Sequence, residues 1–331
     1  MKLRIVLIAL LGLSLAVYLI GYIGFGAVFD AVLTAGWGGF AIILAYALAL
    51  YLVLGAAWHV LIADAAVIRF AVFVWGRMVR DSASEVLPFS QLGGFVIGAR
   101  ATILRGVKAA DAFASTIVDV TTEMLAQLAY VALGIALLTA RAPKTPFTET
   151  LTGTMIVGLT IAAIVGAVFL FVQRRGHWVT EKLASRWLPE KLTHAEALTA
   201  SLDAIYKSPV RVGVSFVLHL AGWILSAVGT WIAFRLIGAE TDLAAVVAIE
   251  SLVYAIRSAA FVVPNALGVQ EAAYTLLAPL MGVGPELGLA VSLLKRARDI
   301  AIGIPTLLAW QALEGKHALV SERLDGELFK N

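Results

Sequence analysis

Apolar runs separated by short polar breaks repeat along the chain at roughly the length of bilayer-crossing helices, with no strand-like alternation between them. A hydrocarbon core of about 30 Å takes roughly 20 helical residues to cross. Runs of that kind cover 3–25, 38–62, 112–140, 151–173, 209–237, 243–263 and 286–313. The first follows Lys2 and Arg4, is too long for a signal-peptide core and lacks a small-x-small cleavage site, so it reads as a retained helix. Two shorter apolar pieces, 90–104 and 268–281, fit no simple span. Pieces of that length survive at membrane depth only when buried in protein or lining a cavity, as re-entrant or broken helices do.

Composition agrees: of 331 residues, 61% are apolar and 14% charged, and the mean hydropathy is +0.92. The expected class is an all-α polytopic membrane protein, the missing alternation arguing against a β-barrel. The absence of cysteine removes disulfides, thiolate metal sites and a Cys nucleophile. The distribution of charge says more than its sum of +3. Arg174, Arg175, Lys182, Arg186, Lys191, Lys207 and Arg211 crowd one segment, while Gly26–Trp37 and Gly238–Asp242, read as loops, have no basic residue. The positive-inside rule puts that segment, both termini and Lys2 and Arg4 on the cytoplasmic side; Arg141 and Lys144 are a minor contrary signal. Residues 174–208, with Trp178, Leu183, Trp187 and Leu188 at partly helical spacing, read either as a solvated loop or as an amphipathic segment on the anionic leaflet.

Laid on itself at an offset of 176, the chain brings "WHVLIAD" over "FRLIGAE" and "SASEVLP" over "SAAFVVP". The same offset puts Asp119 over Lys295 and Glu123 over Asp299. Asp64 ends a span running inward and Glu240 one running outward, so two repeats, 38–140 and 214–316, are expected with inverted topology. Inverted repeats around a midplane site recur in secondary transporters. The stretches "RDSASEVLPFSQLGG" and "AIRSAAFVVPNALGVQE" are then equivalent break points. Pro88 and Pro264 each remove a backbone donor and bias the residue before them away from helix, and glycine follows shortly after.

The apolar runs also carry charge. Asp119 and Glu123 stand at i,i+4, Glu250 and Arg257 at i,i+7, and Lys295, Arg296, Arg298 and Asp299 lie mid-run. Each would cost about 2.5–3.5 kcal/mol facing lipid at the bilayer centre, so they are expected to face one another or water, with Arg80 and Glu85 at the first break. The expected pairing is of Asp119 and Glu123 with Arg257, Lys295, Arg296 or Arg298, the surplus basic groups suiting an anionic headgroup. Structural ion pairs fixing helix register are the competing reading. His59 and His219 read as packed or paired core residues, and the tryptophans Trp37, Trp58, Trp75 and Trp310 as interfacial anchors. No P-loop, G-x-S-x-G, H-E-x-x-H or prenyl-transfer motif is present; no enzyme activity, metal or cofactor is expected.

The segments "LPFSQLGGFVIGARA", "FASTIVDVTTEML" and "VVPNALGVQEAAY" make the chain similar to the flippase-like transmembrane region of lysylphosphatidylglycerol synthases, from the first span to about Gln311. Within that family it most resembles the HpnL type, associated with hopanoid biosynthesis in bacteria. The resemblance implies an inner-membrane protein that moves a lipid, with re-entrant helices at its centre. Carried over to this sequence, it singles out Pro88, Gly93, Gly94 and Arg100 at the first break. At the second it singles out Pro264, Asn265, Gly268, Gln270 and Glu271, and further on Arg296, Arg298 and Asp299. Gln270 stands where many relatives carry Arg, and no aminoacyl-transferase domain follows, so lysyl-lipid synthesis is not implied. The expected function is translocation of a hopanoid-related lipid or phospholipid by alternating access. The alternatives are a membrane scaffold for lipid-biosynthesis enzymes and, more weakly, an intramembrane lipid-modifying enzyme using its carboxylates for acid-base chemistry. Expected partners are a membrane lipid, lipid-biosynthesis enzymes and a second copy of the chain, not nucleic acid.

Overall fold

The computed structural model describes residues 25–62, 67–87, 91–175, 192–260 and 263–328, and these hold ten α-helices and no strand. The first four are α1 (Phe25–His59), α2 (Val67–Val86), α3 (Gln91–Ile103) and α4 (Ala109–Arg141). Next come α5 (Pro146–Arg175) and α6 (Leu192–Tyr206). The last four are α7 (Pro209–Leu236), α8 (Leu243–Ala259), α9 (Val269–Leu277) and α10 (Pro285–Leu328). The expected first span up to Gly24, Pro88, and Trp178, Leu183, Trp187 and Leu188 lie outside the described residues.

Among the described residues, four helices are long and apolar enough to cross a bilayer: Leu33–His59, Ala109–Arg141, Pro146–Arg174 and Pro209–Leu236. Two expectations need correction. Gly26–Trp37 is helical rather than a loop up to Gly36, which breaks the helix at φ 72° and ψ 155°, a conformation glycine alone adopts readily. The run 243–263 stops being helical at Ala259, because Ala260 leaves helical geometry and Asn265 and Ala266 take left-handed φ of 52° and 46°. At 17 residues, about 25 Å, α8 is the first arm of a hairpin whose second arm is α9.

The first half has the matching hairpin. α3 runs back along α2, with Gly94 against Arg80 and Ser84, Gly98 against Arg80 and Gly76, and Gly76 against Thr102. A Cβ on Gly94 would sit 2.2 Å from Ser84 Oγ and one on Gly98 2.7 Å from Arg80 Cβ, so the sequence "GFVIG" places glycine where the two backbones meet. Close approach over small residues is what holds helices together in lipid, where transfer of apolar surface from lipid gains little. In the second half α9 lies antiparallel on α10, with Gly288 against Tyr274 O, Gln270 Nε2 donating to Ser292 Oγ at 3.0 Å and Arg296 Nη2 donating to Ala266 O at 3.2 Å.

The packing partners correspond between halves: α4 packs on α8 as α10 packs on α2, α4 on α7 as α10 on α1, and α1 and α7 pack on each other. Along α4, Ala112, Ala114 and Val118 belong to one apolar core with Trp58 and Phe73, and Val131, Ile135 and Leu138 to another with Phe234 and Leu252. Asp119 and Glu123 fall between them, so a polar layer separates two apolar ends. Trp58 is fully buried, donates from Nε1 to Ser115 Oγ at 3.0 Å and stands edge-on to Phe73, which corrects its reading as an interfacial anchor. α5 packs chiefly on α4 and turns Val157, Ile161, Ile164 and Val165 outward. α6 closes one end of the bundle: Leu198, Leu202 and Ile205 join the Trp58 core, and Ser201 Oγ donates to Asp111 at 2.8 Å.

Candidate functional site

Between the two apolar ends lies a cavity of about 320 Å³. It is walled by α1, α2, α3 and α4 from the first half and by α7, α8 and α10 from the second, with α5, α6 and α9 contributing nothing. Its polar groups come mainly from α2, which presents Arg77, Arg80, Asp81, Ser84 and Glu85, and from Glu123, Arg257, Arg298 and Asp299 on the helices facing it.

Arg80 is the centre of the first-half network. Its Nη1 donates to Asp119 Oδ2 at 2.6 Å, its Nη2 to Glu123 and its Nε to Asp81 at 3.2 Å. Arg77 donates to both oxygens of Glu123, 3.0 Å at Oε2, and to Asp81 at 2.8 Å. Trp58 and Phe95 flank the Arg80 guanidinium, with centroids at 5.9 Å and 5.4 Å. His219 of α7 completes the set with Nε2 2.9 Å from Asp119 Oδ1, as the expected paired core histidine. The expectation that Asp119 and Glu123 pair with second-half basic residues is therefore wrong. α2 supplies arginines one turn apart directly opposite, and the second-half basic groups have carboxylates of their own. Arg77 and Asp81, missed from sequence, were legible only as an i,i+4 charged pair in a stretch too polar to read as a membrane helix.

At the tip of the first hairpin Arg257 Nη2 donates to both oxygens of Glu85, each at 2.8 Å, and Asn265 Nδ2 donates to the Glu85 carbonyl. The two break points thus touch, through Glu85, three residues before Pro88, and Asn265, next to Pro264. Arg298 folds onto its neighbour Asp299, Nη2 to Oδ1 at 2.7 Å. Tyr254 stands edge-on to Trp223 at 4.7 Å, with the Arg257 guanidinium 5.4 Å from its ring.

Of the residues expected at the cavity, Arg80, Glu85, Glu123, Arg257, Arg298 and Asp299 line it, and Asp119 stands directly behind Arg80 and His219. The others lie off it. Gly93 and Gly94 belong to the α2–α3 hairpin, and Arg100 pairs with Glu314 at 2.8 Å, both partly exposed. Glu250 and Lys295 form a sealed cluster in which Thr230 donates to Glu250 at 2.7 Å and Lys295 Nζ to the Tyr274 hydroxyl at 2.7 Å, with Lys295 and Tyr274 both also bonded to Glu250. Tyr254 separates this cluster from the cavity, its ring centroid 5.2 Å from Lys295 Nζ. Arg296 donates to Glu271 at 2.9 Å, and Glu271 in turn accepts from the Gly268 N–H at 2.9 Å, so this trio, with Gln270, holds the start of α9 onto α10.

Asp119, Glu123 and His219 bring their ligand atoms within 4.8 Å of one another, a cluster that no spacing along the chain revealed. Both carboxylates are already engaged by Arg77 and Arg80, whose two positive charges oppose a cation at the same oxygens. The arrangement fits a salt-bridge lattice better than a metal centre.

A polar cavity walled by helices of both halves within an otherwise apolar bundle defines a polytopic membrane protein with a candidate site at its core. The family described as lysylphosphatidylglycerol synthase TM region matches residues 6–305, and the chain belongs to it. No curated protein and no solved structure matches the chain.

Proposed function

We propose that the protein translocates an amphipathic lipid, a phospholipid or hopanoid-related lipid, across the bacterial cytoplasmic membrane by alternating access. The supporting observation is the cavity itself: charged walls contributed by both halves, and apolar cores on either side of it. Its volume of about 320 Å³ lies at the small end for ligand sites, the size for a headgroup rather than a whole lipid, so the tails would stay outside the bundle.

In this reading both hairpins are re-entrant, α2–α3 from the cytoplasmic side and α8–α9 from the other, and their tips meet near the midplane. The corresponding packing of the halves supports an inverted repeat, and the basic segment around α6 supports cytoplasmic termini. Rocking of one half on the other would open the cavity to each leaflet in turn. Arg77 and Arg80 hold α2 to α4, while Arg257–Glu85 is the lock between halves that must part. Membership of the HpnL type is part of the proposal, as is the absence of a chemical step by this chain. A scaffold role would need the segment 174–208 as docking surface, but α6 already spends its apolar face on the bundle.

The test is movement of tail-labelled lipids in proteoliposomes containing wild type or Arg257→Gln. Acceleration over protein-free vesicles, lost at least tenfold in folded variant, supports the reading. Movement no faster than in protein-free vesicles, from correctly inserted protein, would overturn it.

A further inference from the structure

The balance of charge on the cavity wall constrains the headgroup. Four guanidinium groups reach the wall, from Arg77, Arg80, Arg257 and Arg298, and four carboxylates, from Asp81, Glu85, Glu123 and Asp299. The surplus of positive charge expected from sequence is therefore not there, because α2 and the hairpin tip bring their own acids. Resting on the translocation reading, we infer that the cavity takes a zwitterionic headgroup, carrying both a phosphate and an ammonium group, in preference to a net anion.

The reason is exchange of partners. Each guanidinium on the wall already holds a carboxylate, so a phosphate that shares or takes it leaves a carboxylate short of counter-charge in a largely buried site, which is costly. A headgroup that also carries an ammonium satisfies that carboxylate, so one ion pair is replaced by two and no charge is orphaned. A net anion leaves the acid uncompensated.

Not all the pairs are equally exchangeable. Arg77 and Arg80 each pair with Asp119 and Glu123 across to α4 as well as with Asp81 on their own helix, and breaking either would loosen α2 from α4. Arg257 holds Glu85 through Nη2 alone, and the Glu85 side chain is 30% exposed. Arg298 holds only its chain neighbour Asp299, through one oxygen of that carboxylate. These two pairs are the docking points: phosphate between Arg257 and Arg298, ammonium at Glu85 or Asp299. The Tyr254 ring, already within reach of two cations, offers a face for the ammonium as well. A space of about 320 Å³ equals about ten water volumes at ~30 Å³ each, room for a phosphate, a short linker and an amine.

The experiment compares phosphatidylethanolamine and phosphatidylglycerol carrying the same tail label in proteoliposomes of wild type and of Glu85→Gln/Arg257→Gln, which removes one pair without changing net charge. Wild type is expected to move the ethanolamine lipid at least tenfold faster. The double variant is expected to lose most of that rate and to bring the preference below threefold. Phosphatidylglycerol moving as fast or faster in wild type overturns the inference while leaving translocation standing. If neither lipid moves faster than in protein-free vesicles, the translocation reading falls instead. Calorimetric titration of the detergent-solubilised protein with short-chain forms of the two lipids then decides the headgroup class: tighter binding of the ethanolamine form upholds it, and equal or tighter binding of the glycerol form overturns it.

Discussion

The two halves place charges at equivalent positions and use them differently. Asp119 of α4 and Lys295 of α10 correspond at the offset of 176, and both are buried. Asp119 joins a network whose other members, Arg77, Arg80, Glu123 and His219, open onto the cavity. Lys295 is shut in with Glu250, Tyr274 and Thr230, a complete set of partners with none of the four on the cavity wall. The same helix–hairpin frame thus serves once to present charge and once to fasten α8, α9 and α10 together. Burial of charge in such a bundle does not by itself mark a site; contact with the cavity is what separates the two sets.

The largest effect separating the halves is expected from Arg80→Gln. It leaves Asp119 and Glu123 short of a shared counter-charge, costing about 3–5 kcal/mol of stability and more than a hundredfold in lipid movement. Thermal unfolding in detergent and the proteoliposome assay read the two losses. In the sealed cluster, Glu250→Gln should cost a similar ~3–5 kcal/mol by stranding Lys295, while Glu250→Leu/Lys295→Met recovers stability to within ~1 kcal/mol of wild type and moves lipid within about threefold of it. Failure of the double variant to move lipid would give the second cluster a role beyond fastening.

Next come the hairpin contacts. Gly94→Ala places a methyl 2.2 Å from Ser84 Oγ and 2.8 Å from Arg80 O, and Gly288→Ala places one 2.6 Å from Tyr274 O. Each should cost about 1–3 kcal/mol. Gly94→Ala should also slow lipid movement, since it shifts Arg80, whereas Gly288→Ala should not. The smallest effect lies outside the membrane. The Ala245 N–H, first, and the Arg141 guanidinium hold the Asp242 carboxyl below the usual carboxylate range. Its contribution is complete above the ordinary aspartate pKa and is lost as pH falls through the lowered value. Arg141→Gln should narrow that loss in unfolding measurements between about pH 5 and 2, by no more than ~0.5 kcal/mol because the pair is exposed.

Hydropathy made the long helices legible, since a run such as 209–237 has one physical use at that length. The break at Pro264 was legible from proline chemistry, but not that it shortens α8 to a hairpin arm; that follows from left-handed Asn265 and Ala266, which hydropathy does not register. α2 escaped for a different reason. Arg77, Arg80, Asp81 and Glu85 make it polar, and only α1, α3 and α10 packed around it, with the α4 carboxylates meeting its arginines, let it sit in the bundle. The candidate site was half legible: charges in apolar runs identified Asp119, Glu123, Arg257, Arg298 and Asp299, yet pointed Asp119 and Glu123 to the wrong partners. Pairing is decided by which helix faces arrive opposite one another. Spacing within one helix carries no record of that, which is also why His219 beside Asp119 went unassigned to the network.

Alternating access requires the halves to move relative to one another, and a disulfide tests that in a chain that has no cysteine. Gly303 of α10 meets Val86 at the end of α2, where a Cβ on Gly303 would lie 2.4 Å from Val86 Cγ2, close enough for Val86→Cys/Gly303→Cys to bridge the halves without touching the cavity wall. Oxidation of the double variant in proteoliposomes is expected to stop lipid movement and reduction to restore it, while oxidant leaves the rate of each single variant unchanged. Undiminished movement from fully cross-linked protein would contradict it.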